Sequence, residues 1–361
     1  MVSRALREVG GITELLIHTG QHFSPAMSSE FVQGLGMLEP YSNLGVGTMA
    51  EVSSVAQVAR IMDKLSAALH FLKPDLVLNY GDTNSALATS LTAAKMGIPI
   101  AHVESGLRSG DRSQPEELNR IVCDHLATYL FVPSLAAMLN LDLEGIDPKN
   151  RFLVGDVMLD SVIMHNGMNL IQEERTSGKY VLLTLHRPEN TNGGIALSNV
   201  FRALASLRPR VKVVFPVHPR TASLISPAQW KMAKSLDWEF VPPVGYVEML
   251  RIINHAALVV TDSGGVQREA ACLGSPCVVL RKVTEWVELV ESGAVRCISP
   301  TRGFRALSVA FRAGLKKKKR KAEPPPYGND SASWQIARVL KGLAPLLRQA
   351  GKGNKPHRKS L

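Results

Sequence analysis

Short apolar runs that end on a polar residue recur along this chain and alternate with amphipathic helical patterns. GITELLIHTG, DLVLNYGD, IPIAHVES, YLFVPS and RFLVGD come in one half, and YVLLTLHR, VKVVFPVHP, WEFVPPV, ALVVTDS and PCVVLR in the other. Most of the runs lack a strict in-and-out alternation, so each strand has both faces covered, which predicts parallel sheets flanked by helices. EVSSVAQVARIMDKLSAALHFL, SALATSLTAAKMG and PEELNRIVCDHLA read as the intervening helices. The last opens on Pro, whose missing N–H costs nothing in a first helical turn. A polar helical link over residues 158–178 separates the two series, and 361 residues exceed one ordinary core. The expected architecture is therefore α/β, with two doubly wound Rossmann-like domains facing a cleft, residues 1–165 and 166–335, followed by a C-terminal helix and basic tail over 336–361.

In such sheets the chemistry gathers at the carboxyl ends of the strands. Asp82, Glu104, His186, His218 and the pair Asp262–Ser263 all stand there. The chain opens with a helical pattern, VSRALREVG, before its first strand run. An α/β domain ordinarily opens with a central strand and a ligand-facing turn, so the expected domain lacks its first N-terminal strand and a start upstream of Met1 is anticipated.

Charge narrows the partners. The chain has 42 Lys plus Arg against 31 Asp plus Glu, a net of +11. Residues 311–361 hold 14 of those basic side chains and two acids, Glu323 and Asp330, so the preceding body is close to neutral. The basic run at 316–321, KKKKRK, has no aromatic interleaving or recognition motif beside it, and neither nucleic acid nor a membrane is expected as a partner. No apolar stretch is long enough for a spanning helix, and the N-terminus lacks the apolar core of a signal peptide. Cys123, Cys272, Cys277 and Cys297 are scattered without metal-ligand spacing, which suggests reduced thiols in a cytoplasmic protein and no metal site.

Several segments carry candidate chemistry. LVVTDSGGVQREA is a strand, a Gly-rich turn and a helix. Ser263, Gly264 and Gly265 would offer backbone N–H groups at a helix N-terminus, where an anion such as a diphosphate is favoured. Glu269 follows one turn later, placed to accept from a ribose diol; a turn merely capped by Asp262 or Ser263 gives the same pattern. HVESGLRSGDRSQPEELNR brings Glu104, Asp111, Glu116 and Glu117 among Arg108, Arg112 and Arg120. Two of these carboxylates can share acid and base work in one cleft, or the segment can be a loop of paired charges. Asp82 caps a helix or enters the same cleft, and His186 and His218 are each followed by basic residues at strand ends.

Taken in order, HTGQH, GDTNSALATSLTAAKMGIPIAHVESGLRS, DRSQPEELNR, VGDVMLDS, LHRPEN, PVHPRT, TDSGGVQREA, LGSPCVVLR, TEWVE and PPYGND resemble the non-hydrolysing UDP-N-acetylglucosamine 2-epimerases over about residues 2–345. That resemblance implies a GT-B glycosyltransferase-like fold. It also implies interconversion of UDP-GlcNAc and UDP-ManNAc by elimination of UDP to 2-acetamidoglucal and re-addition, without metal or nicotinamide cofactor. It further implies a cytoplasmic homodimer serving polysaccharide biosynthesis. By motif match Asp82, Glu104 and Glu116 correspond to the catalytic carboxylates and His186 to the cleft histidine. Ser263, Gly264, Gly265, Glu269 and Arg281 fall in the UDP set, and Gln21, His22, Arg187 and His218 match positions near an activating UDP-GlcNAc site. Two features depart from the pattern: the G-T-R-P-like loop that opens the family is not in the chain, and Trp286 stands where many members carry Arg. Epimerisation of a diacetamido-uronate nucleotide, a GT-B glycosyltransferase and an N-terminally truncated, impaired enzyme are the alternatives.

Overall fold

The computed structural model describes residues 1–20, 39–47, 53–168, 170–171, 179–192, 194–207, 210–217, 219–319 and 331–353. The chain separates into two units, Met1–Val157 with Tyr327–Leu361, and Met158–Pro326.

The first unit begins with α1 (Val2–Val9), β1 (Ile17–His18), β2 (Ser42–Asn43) and the long helix α2 (Ser54–Leu72). It continues as β3 (Val77–Tyr80), α3 (Asn84–Lys95), β4 (Ile100–Val103), α4 (Pro115–Leu126), β5 (Tyr129–Val132), α5 (Leu135–Leu143) and β6 (Arg151–Leu153). Strands β3 to β6 pair in chain order as a parallel sheet, while β1 and β2 pair in parallel with each other. GITELLIHTG thus contributes only Ile17–His18 as strand, because its pairing with β2 spans only those positions.

The second unit runs through α6 (Val157–Gly167), β7 (Tyr180–Thr184), α7 (Pro188–Thr191), α8 (Ile195–Ala205), β8 (Lys212–Pro216), α9 (Pro219–Leu224), α10 (Pro227–Ser235) and β9 (Glu239–Val241). It then passes through α11 (Tyr246–His255), β10 (Leu258–Thr261), α12 (Gly264–Cys272), β11 (Cys277–Val279), α13 (Val287–Glu291), β12 (Val295–Cys297) and α14 (Phe304–Lys316). Among the described residues its six strands are all parallel, in the order β12-β11-β10-β7-β8-β9. The chain winds outward from β7 to β9, returns to the other side of β7 and winds outward again. The switch point of this doubly wound sheet lies between β7 and β10, where a ligand crevice is expected.

Burial accounts for both units. In the second, Val181, Leu183, Phe201, Phe215, Val260 and Phe311 form a core between sheet and helices. In the first, Ile61, Leu65, Val77, Ala88 and Ile100 join α2 and α3 to one face of the sheet. Val103 and Phe131 meet Leu6 of α1 on the other face, together with Ile336 and Leu340 of the last helix, α15 (Ala332–Gly353). Lys341 Nζ also donates to the Val9 carbonyl at 2.8 Å, so α15 returns to the first unit. The divisions fall after Val157 and Pro326, earlier than the 165 and 335 expected from the polar link and the tail. The reason lies in α6: Met158 Cε abuts Gly265, and the His165 ring meets Tyr246 edge-on with centroids 5.5 Å apart. None of the four cysteines is in a disulfide, and no helix among the described residues is long and apolar enough to cross a membrane.

Gly106 follows β4 with φ +82°, and a Cβ there would stand 2.4 Å from the Ala137 carbonyl oxygen. Backbone strain and a clash with main chain combine at this position, so Gly106→Ala is expected to lose at least about 2 kcal/mol. Urea unfolding of the variant beside the wild type measures it.

Candidate active site

In the first unit the strand ends of β3 and β4 face α4. Thr83, not Asp82, caps α3, with its hydroxyl accepting from Ala86 N–H at 3.3 Å. The Asp82 side chain turns instead to α4, where Arg120 pairs with its Oδ2 at 2.5 Å and Asn119 Nδ2 donates to its carbonyl at 2.8 Å. Glu104, directly after β4, has φ +69°, a left-handed conformation that costs a non-glycine residue roughly 1–3 kcal/mol. Its carboxylate comes to rest over Gly81, with Oε2 3.6 Å from where a Cβ on that glycine would stand. The carboxylates of Asp82 and Glu104 therefore border the same backbone turn.

Glu116 and Glu117 occupy the first turn of α4 but differ in surroundings. Glu117 is buried and accepts from the Ser109 and Gly110 N–H groups at 2.9 and 2.8 Å and from Arg120 at 2.8 Å. Burial works against its charge, but those donors outweigh it and hold the carboxyl below the usual range. Glu117 is thus a clamp on the 109–110 loop, whereas Glu116 is half-buried. The paired-charge reading holds for two of the arginines: Arg120 bridges Asp82 and Glu117, and Arg108 joins Asp124 to Glu144. Arg120 had only a weak sequence signal, its i,i+3 spacing from Glu117.

In the second unit the site gathers at the switch point. Thr184 and Thr261 are register partners at the ends of β7 and β10, their hydroxyl oxygens 2.6 Å apart. Asp262, next in the chain, is fully buried and accepts from the N–H groups of His186 and Arg187 and from Asn190 Nδ2. His186 Nδ1 lies 2.9 Å from its Oδ1, while about half of the imidazole remains exposed. Burial alone would raise the Asp262 pKa; the His186 hydrogen bond and charge, with the Asn190 and Arg187 donors, lower it below the normal carboxylate range.

Ser263 caps α12, accepting from Val266 N–H at 3.4 Å. The two glycines are tight on their side-chain sides. A Cβ on Gly264 would stand 2.9 Å from Glu285 Oε1, and one on Gly265 3.4 Å from Met158 Cε. Gln267 is fully buried; its oxygen accepts from Thr284, while its Nε2 has no hydrogen-bond partner among the described residues and lies near Gly264. A donor left unmatched beside a helix N-terminus suits an anion. Glu269 is buried one turn along the same helix. Arg281 is buried and pairs with Glu285 at 2.9 Å. Trp286 is buried beneath the Arg268 guanidinium, which sits 4.3 Å from the ring centroid. Arg187 donates through Nε to the Asp262 carbonyl at 3.0 Å; Gln21, His22 and His218 lie outside the described residues.

A family model described as UDP-N-acetylglucosamine 2-epimerase matches residues 4–341. The chain belongs to the UDP-N-acetylglucosamine 2-epimerase family. It is an epimerase of a nucleotide sugar with a GT-B-like α/β fold. A Pseudomonas aeruginosa relative named UDP-2,3-diacetamido-2,3-dideoxy-D-glucuronate 2-epimerase is 38% identical, covering 95% of each chain. The UDP-N-acetylglucosamine 2-epimerase of Methanocaldococcus jannaschii is 35% identical over 90% of each. The crystal structure of the Methanocaldococcus jannaschii UDP-GlcNAc 2-epimerase in complex with UDP-GlcNAc and UDP superposes with a TM-score of 0.85, covering 94% of this chain and 95% of that one.

Within this epimerase, Asp262 is the residue whose charge the second unit's strand ends require. A carboxyl with a lowered folded pKa contributes stability in full above its unfolded value, about 3.9, and loses it as pH falls through the folded value. Asp262→Asn is therefore expected to cost about 2–3 kcal/mol at pH 7. That gap should narrow as pH is lowered below about 4, followed by urea unfolding of both proteins.

Proposed function

We propose that this epimerase inverts C2 of the hexosamine in UDP-N-acetylglucosamine, interconverting it with UDP-N-acetylmannosamine. The C2 proton is too weakly acidic for simple removal and return, so the route is elimination. A carboxylate takes the C2 proton, and the C1–O bond breaks with its electron pair passing to UDP, which leaves 2-acetamidoglucal. Protonation of C2 on the opposite face and re-addition of UDP at C1 complete the inversion, with no net gain or loss of atoms or electrons.

Asp82, Glu104 and Glu116 are the groups assigned to this proton traffic. The second unit takes the nucleotide. The α12 N-terminus, with Ser263, Gly264, Gly265 and the Gln267 amide, suits a diphosphate, and Glu269 suits a ribose diol. With its Nδ1 turned to Asp262, His186 presents Nε2 to the site, where the imidazolium form would donate to charge that builds on the departing diphosphate. The observation that carries the proposal is the Glu104 backbone: a strained carboxylate-bearing residue beside the Asp82 turn is more than nucleotide binding alone requires. The Pseudomonas aeruginosa relative supports a second reading, the same elimination on UDP-2,3-diacetamido-2,3-dideoxy-D-glucuronate.

Incubation with each nucleotide sugar in D2O, followed by NMR at C2, tests both readings. Deuterium at C2 in both epimers of UDP-GlcNAc and UDP-ManNAc is expected, and its absence from both sugar series refutes the elimination. Asp82→Asn and Glu104→Gln should each slow the exchange by about 10²–10⁴-fold. UDP affinity by calorimetry should stay within about threefold of wild type in both variants.

A further inference from the structure

Glu104 holds an unfavourable backbone conformation, so something around it must over-determine that conformation. The bonds that do so converge on a pair of buried side chains, His102 of β4 and Asp124 of α4, exposed by 0% and 1%. His102 Nδ1 lies 2.7 Å from Asp124 Oδ1, and His102 Nε2 lies 2.8 Å from the Gly81 carbonyl oxygen. The other Asp124 oxygen accepts from Gly106 N–H at 2.9 Å and from Arg108 at 2.7 Å. Ser105 Oγ donates to the His102 carbonyl at 2.8 Å, and Gly81 N–H to the Val103 carbonyl at 3.0 Å. The pair thus grips the residue just before Asp82 and, through Gly106, the turn that contains Glu104.

The protons follow from the partners. A carbonyl oxygen only accepts, so Nε2 carries a hydrogen toward Gly81. Burial would neutralise both groups, but Asp124 is held as a carboxylate below its usual range by His102, Arg108 and the Gly106 N–H. The His102 pKa is in turn raised by Asp124, the Gly81 carbonyl and Glu104. Both ring nitrogens then donate. A neutral histidine has one N–H and can hold one partner as a donor; an imidazolium holds both at once.

Resting on the assignment of Asp82 and Glu104 to proton transfer, the geometry points to His102 as the positioning residue of this site. Clasped by Asp124, it ties the Gly81–Asp82 turn to the Glu104 turn and keeps the two carboxylates in one register. It touches no reacting atom; its effect passes through backbone.

The test uses three variants of the full chain. His102→Gln keeps an amide donor for Gly81 but turns an oxygen toward Asp124, which breaks the clasp. The double variant His102→Gln with Asp124→Asn restores a neutral hydrogen-bonded chain, because the new Asn amide can donate to the Gln oxygen. Glu144→Gln loosens Arg108 on its outer side only, and serves as the control for a general loss of packing. Amide hydrogen exchange read on peptides spanning 80–83 and 103–106 should quicken more than tenfold in His102→Gln, stay unchanged in Glu144→Gln and recover in the double variant. Turnover should follow: kcat down about 100-fold with KM within about threefold in the single variant, and rescue to within about tenfold in the double. Equal exchange and equal kcat in His102→Gln and Glu144→Gln, or additive losses in the double variant, would overturn the positioning role. If wild-type protein places no deuterium at C2, the epimerisation chemistry is what fails, and the exchange rates of the two peptides decide the positioning role by themselves.

Discussion

A parallel sheet covered on both faces leaves its backbone few places to meet solvent other than the ends of its strands. Every strand pair among the described residues is parallel, and helices bury the faces, so polar groups are driven to those ends. The rest of the molecule follows from this constraint. Asp82 and Glu104 stand at the carboxyl ends of β3 and β4, and His186 and Asp262 at those of β7 and β10. A charged side chain at such a position is partly buried by its neighbours and has to be held by donors nearby. That is the situation of Asp262 among His186, Arg187 and Asn190, and of Asp82 against Arg120.

The two units meet this requirement differently. In the second, one buried carboxylate collects backbone and side-chain donors from the loop after β7 and so joins the two strands flanking the switch point. Asp262 thereby fixes where His186 begins, and Ser263 is left to cap α12. In the first, helix α4 does the holding. Asn119, Arg120 and Asp124 reach the β3 turn and the segment after β4 from one helix, and Glu117 reaches the loop before it. Buried ion pairs of this kind add little net stability against an apolar core of the same shape, since desolvation offsets their attraction. Their use here is directional: each hydrogen bond fixes an angle as well as a distance.

Much of the candidate site could be read along the chain because strand ends are readable. An apolar run that stops at a carboxylate announces both the strand and its terminus, which is how Asp82, Glu104 and Asp262 stand out. The partners of those carboxylates are not announced. Arg120 and Asp124 sit on α4 at positions that suit any amphipathic helix, and His102 sits inside a strand run, where it passes for an ordinary interior residue. Nor does GITELLIHTG differ in pattern from the longer strands, although only Ile17–His18 is paired.

The amino-acid sequence by itself determined the class of fold, since unalternating apolar runs separated by helical periods have few solutions besides covered parallel sheets. Its motif order also sufficed to place the chain among the nucleotide-sugar 2-epimerases. Tertiary structure alone decided which of two adjacent glutamates, Glu116 or Glu117, is clamped in the interior, and that Thr83 rather than Asp82 caps its helix. It alone decided that Arg281 pairs with Glu285 and that Glu104 bends into a left-handed turn above Gly81. The physical reason is the same in each case: spacing along a helix or strand sets the direction in which a side chain leaves, but the donors it meets come from elements far away in the chain.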